Sequence, residues 1–158
     1  MGGYAAIRFA DAAGANVVLA LSPQYSIDPQ KMPSETRWLQ DSQRIAWRPE
    51  IDGRIICGVR PVVVFDPLED GDQVAKIQDD IDIWPIRLPY VSHPASTYLA
   101  ETGLLKVLVL QTRRGFPAAR IVFVTKGLVE ADRLKMFFLV DRGDALSFVN
   151  HQAFRVVR

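Results

Sequence analysis

Apolar and polar positions set the first elements. Ile7 and Phe9 alternate with polar or small neighbours, and Val17, Leu19 and Leu21 alternate again after the turn-forming run Asp11–Asn16. Period-two alternation on both sides of a turn predicts a β-hairpin. From 22 to 43 the pattern is lost. Pro23, Pro29 and Pro33 stand among polar residues there, which blocks regular structure and predicts an extended loop or arm. Strand patterns return at Arg44–Arg48, Arg54–Cys57 and Pro61–Phe65. The run Val62–Phe65 has no polar side, so both of its faces need cover, from a helix of the same chain or from another subunit.

One helix is expected next, at about 72–84. Val74, Ile77, Ile81 and Trp84 form a single stripe, Asp70 or Asp72 can cap the first turn, and Pro85 stops the helix. Pro85, Pro89 and Pro94 then predict an irregular crossing. A short helix is expected over Ser96–Thr102, closed by Gly103. Val, Phe and Leu dominate the last third, which predicts strands at Leu105–Gln111, Arg120–Thr125, Leu134–Val140, Ala145–Asn150 and Ala153–Val157. The sum is an α+β chain with β dominant. The expected form is a sandwich or open barrel of short antiparallel strands, with the 72–84 helix packed on it.

Composition narrows the function classes. A chain of 158 residues, 49% hydrophobic and 23% charged, fits a single globular domain over 1–158 with a Pro-rich arm at about 22–43. The net charge of +1 is scattered, which argues against a nucleic-acid or membrane-surface partner. The single cysteine, Cys57, rules out an internal disulfide. No signal-peptide pattern opens the sequence, so synthesis in a cytoplasm is expected.

No residue pattern names a reaction, and the expectation is a non-enzyme with no catalytic residue, cofactor, metal or small-molecule substrate. Cys57 sits among apolar neighbours with no histidine nearby in sequence, which suits a buried thiol. The acidic run Asp66–Asp72 departs from a calcium loop at Leu68, and helix capping accounts for its carboxylates. His93 and His151 lack partners at zinc-ligand spacing. Arg142-Gly143-Asp144 falls between two strand patterns and is better explained as a hairpin turn over Asp141–Asp144 than as an adhesion motif. Nucleotide-binding glycine patterns and the G-x-S-x-G elbow are missing. Tyr25, Trp38 and Leu39 are large apolar groups in the 22–43 segment and are the candidate partner-binding residues.

The order of "AAIRFADAAGANVVLAL", a Pro-rich arm, a strand pair around "IDG" and "GVRPVVVFDPLEDGDQVAKI" resembles small tail proteins of tailed bacteriophages, of the distal-tail or tail-hub-associated type. The resemblance covers about half the chain. It implies a structural virion protein of the tail, made in the bacterial host. Such a protein would assemble into a homo-oligomeric ring and contact other tail proteins. The alternative is a soluble protein-binding module, such as an immunity or adaptor protein, using the 22–43 segment. A third class is an enzyme whose groups meet only in three dimensions.

Overall fold

The computed structural model describes residues 2–48 and 54–113, and the strands 120–125, 136–141 and 146–150. Helix α1 (Gly2–Arg8) leads to strand β1 (Leu19–Leu21). The short helix α2 (Leu39–Ser42) precedes strand β2 (Val62–Phe65), helix α3 (Gly71–Asp80) and strand β3 (Trp84–Arg87). Helices α4 (Ala95–Glu101) and α5 (Leu104–Arg113) follow, then strands β4 (Arg120–Thr125), β5 (Met136–Asp141) and β6 (Leu146–Asn150). The first three strands form a parallel sheet in the order β1-β2-β3. The last three form a separate antiparallel sheet, with Asp141 opposite Leu146.

The expected β-dominant antiparallel sandwich is therefore corrected. Five helices stand among the described residues, and helices cover both faces of the parallel sheet. Strand β2 shows why. Its four residues are all buried, and successive side chains point to opposite faces. Val63 and Phe65 meet Ile7 of α1 and Val74 and Ile77 of α3. Val62 and Val64 meet Leu99 of α4 and Leu104 and Leu108 of α5. Each side chain so buried contributes roughly 1.5–3 kcal/mol relative to exposure. The strand without a polar side is thus covered by helices of its own chain.

Several local expectations change with it. The N-terminal hairpin is instead a helix, a turn and a strand. Ile7 is buried in α1 while Phe9 is 60% exposed, and β1 pairs in parallel with β2. The expected strand Leu105–Gln111 is α5, whose buried residues Leu104, Leu108 and Thr112 recur every four positions. Gly103, with φ +73, makes the left-handed break between α4 and α5. The 72–84 helix ends at Asp80, and Trp84 and Pro85 belong to β3. Trp84 and Leu88 donate their backbone N–H groups toward β2. Pro85 lies at the opposite parity, where a parallel strand needs no donor toward that neighbour. Residues 45–48 and 54–57, expected as strands, have no regular structure. The Arg142–Asp144 tripeptide, His151 and the Ala153–Val157 strand lie outside the described residues.

The 22–43 segment crosses the start of α3. Gln73 accepts from Ser26 N–H at 3.1 Å and donates to Ser26 O at 2.9 Å. Met32 is buried, as are Gln24, Asp28 and Glu35. Tyr25 packs on the core between the sheet, α1 and α3, whereas Trp38 and Leu39 are exposed at the start of α2.

Candidate functional site

Loops that leave the carboxyl ends of parallel strands form the usual ligand crevice of such sheets. Here those ends are Leu21, Phe65 and Arg87, and polar residues concentrate just beyond them. Asp66 follows β2 directly and is 1% exposed. Its Oδ1 accepts from Leu68 N–H and its Oδ2 from Ser92 N–H, both at 2.9 Å. One carboxylate therefore ties the loop after β2 to the loop after β3.

Asp70 is the N-cap residue of α3, yet its side chain does not cap the helix. The Oδ1 atom accepts from Arg37 Nη1 at 3.2 Å and pairs with His93 Nδ1 at 2.8 Å. Asp70 is fully buried, and its Oδ2 has no partner among the described residues. Paired with an ionised carboxylate, which only accepts, a neutral imidazole would carry its proton on Nδ1 and present Nε2 as the acceptor. The His93 side chain is 16% exposed. A buried carboxylate on Nδ1 with Nε2 left free is the arrangement of an acid–base dyad.

Arg37 is fixed from the other side. Its Nε and Nη2 donate to the two oxygens of Glu35 at 2.9 and 2.6 Å, a bidentate fork. Glu35 also accepts from Arg37 N–H, from Gln73 Nε2 and from Gln24 Nε2. Bonding to the Arg37 guanidinium outweighs burial and holds the Glu35 carboxyl down at about 2, and Arg37 is pushed up in turn. A continuous chain of bonds thus runs from Ser26 through Gln73, Glu35, Arg37 and Asp70 to His93.

Backbone strain collects at the same edge. Ser22, Tyr90 and Ser92 all have left-handed φ, of 42, 66 and 63, just past β1 and β3. Non-glycine residues in this region cost on the order of 1–3 kcal/mol each and cluster at functional sites. Ser22 Oγ accepts from Ala95 N–H at 3.0 Å, which joins the end of β1 to the start of α4. An open groove of ≈ 240 Å³ lies beside the start of α3, lined in part by Ser34, Glu35, Arg37, Leu68 and Glu69.

The sequence candidate Cys57 makes no contact with this cluster among the bonds of the described residues. Cys57 packs against the α1–α3 core and donates to Val59 O at 3.1 Å. Burial pushes its thiol up, away from the thiolate form that nucleophilic attack requires. Among the described residues no group of three or more His, Cys, Asp or Glu side chains is placed to hold a metal ion. No helix among them is long and apolar enough to cross a membrane. The sequence offered Asp70 or Asp72 for capping and gave His93 no partner at ligand spacing, so the Asp70–His93 pairing was missed. The available signal was position: Asp70 follows closely on the exit of the all-apolar strand.

Comparison of the chain with known protein families, with characterised proteins and with solved structures finds no match.

Proposed function

We propose that the Asp70–His93 pair is the acid–base dyad of a hydrolytic site acting on ester-type bonds. The observation that carries this reading is the 2.8 Å bond between a fully buried carboxylate and the Nδ1 of a partly exposed histidine. His93 Nε2 takes a proton from a water or hydroxyl as its oxygen attacks the carbonyl carbon. Asp70 stabilises the imidazolium so formed. His93 then returns the proton to the leaving oxygen as the carbonyl–oxygen bond breaks. The chain order of carboxylate then histidine is shared with α/β hydrolases, an analogy of order only, since the nucleophile elbow of that family is missing from this sequence.

The sequence resemblance implies a ring-forming tail protein, in which another subunit would cover the all-apolar strand and the Pro-rich 22–43 segment would serve as an arm. Helices of the same chain cover that strand, and the 22–43 segment is bonded to α3, so neither feature now favours assembly.

The test is hydrolysis of a panel of nitrophenyl esters of different acyl length by the full chain. His93→Gln is expected to abolish turnover, and Asp70→Asn to slow it by about 10²–10⁴-fold. Unchanged turnover in His93→Gln, or no turnover of any ester by the native chain, defeats the reading.

A further inference from the structure

The loop after β3 sends its apolar residues two ways. Leu88 is fully buried and Val91 packs on the core that contains α4 and α5, but Tyr90 between them is 83% exposed. Left-handed φ at Tyr90 and again at Ser92 bends the chain here, a conformation that a bulky aromatic residue rarely adopts. Asp66 holds the bend, since its Oδ2 accepts from Ser92 N–H at 2.9 Å. Its Oδ1 accepts from Leu68 N–H, also at 2.9 Å, and Leu68 is 65% exposed. One buried carboxylate thus spans the amide of Leu68 and that of Ser92, the residue next to His93. Among the described residues, neither Leu68 nor Tyr90 packs into either core. Single apolar residues scattered over a surface need no explanation. These two stand on the loops that carry Asp70 and His93, tied together by the same side chain.

We propose that Leu68 and Tyr90 are specificity-determining residues of this site, an apolar lip that receives the acyl chain of the ester, so that esters of longer aliphatic acids are preferred over acetate esters. The proposal rests on the dyad reading and names the substrate class of that site. A small-molecule site combines apolar surface for most of the ligand with a few placed polar groups. His93 is the placed polar group, with Asp70 behind it. Leu68 and Tyr90 supply the apolar surface, one from the loop before α3 and one from the loop after β3. The groove beside α3, which Leu68 also lines, has mostly polar walls and gives an aliphatic chain little other cover. Methylene groups laid against the leucine side chain and the tyrosine ring leave water, and full burial of one favours the bound ester by about fourfold. An acetyl group has no methylene to bury, so it gains least.

The experiment uses the full chain and nitrophenyl esters from acetate to octanoate, with the leaving group held constant. The native chain is expected to gain about two- to fourfold in kcat/KM for each added methylene. Leu68→Ala and Tyr90→Asn are each expected to flatten that slope. Asparagine tolerates the left-handed φ of position 90, so the bend is kept. Tyr90→Phe keeps the ring and is expected to keep the slope. Binding without turnover is read by saturation-transfer NMR with hexanamide and acetamide on His93→Gln, where hexanamide is expected to bind more tightly and to lose that advantage when Leu68→Ala or Tyr90→Asn is added. A flat slope in the native chain, or a slope that neither variant changes, overturns the lip and leaves the dyad standing. An equal loss on every ester in both variants marks a merely structural role and also overturns it. If the native chain hydrolyses no ester, the dyad reading falls; the lip falls with it unless hexanamide still binds through Leu68 and Tyr90, which upholds it as a site for an aliphatic chain.

Discussion

At the scale of single residues, this protein diverts polar groups from their ordinary local work. Asp70 occupies the N-cap of α3 and could bond the first turn, a role worth about 1 kcal/mol. Its carboxylate instead holds Arg37 and His93. Glu35 makes the clearest pH prediction. Its folded pKa of about 2 lies below the ordinary 4.5, so its stabilisation is complete above the ordinary value and is lost as pH falls through the folded one. Chemical denaturation between about pH 5 and pH 2 should show a loss of up to about 3 kcal/mol in the native chain that is missing from Glu35→Gln. Parallel slopes in the two proteins would show that the Glu35–Arg37 fork contributes nothing net.

At the scale of elements, α1 illustrates how packing overrides intrinsic preference. A Cβ at Gly3 would lie 2.7 Å from Leu21 O and 3.0 Å from Pro23 Cα, both backbone atoms at the end of β1. A Cβ at Gly2 would meet nothing within 4 Å. Alanine favours a helix over glycine by up to about 1 kcal/mol. Gly2→Ala should therefore be neutral or slightly stabilising, whereas Gly3→Ala should lower stability by about 1–3 kcal/mol. Melting temperatures of the two variants decide it, and equal effects would refute the close approach of α1 to β1. The same competition explains α5. Leu105, Val107 and Val109 offer a strand's alternation, but burial of Leu104, Leu108 and Thr112 needs a helical repeat, and burial prevails.

At the scale of the whole molecule, helices on both sides of the parallel sheet enclose β2, and β1 and β2 both send side chains into the two cores. Leu99 is fully buried on one side and Ile77 on the other. Each change to alanine should cost about 2–5 kcal/mol in equilibrium unfolding, independent of protein concentration. A mild effect of Leu99→Ala together with concentration-dependent stability would mean that a second subunit, not α4 and α5, provides the cover.

The residue pattern alone determined a limited set of features. Val62–Phe65 is a strand buried on both faces, because four successive apolar residues leave no side for water. Val74 and Ile77 of the α3 stripe, the helix over Ser96–Thr102 ended by Gly103, and the strands expected at Arg120–Thr125, Leu134–Val140 and Ala145–Asn150, observed at 120–125, 136–141 and 146–150, were also legible, since each has a local period or a local stop signal. Strand direction was not legible. Parallel and antiparallel pairing use the same side-chain alternation, and only the crossing of α3 over the sheet made β2 and β3 parallel. The site was hidden for a similar reason. Arg37, Asp70 and His93 carry no spacing rule among them, and only the convergence of the 22–43 segment, the start of α3 and the loop after β3 brings them onto one carboxylate oxygen.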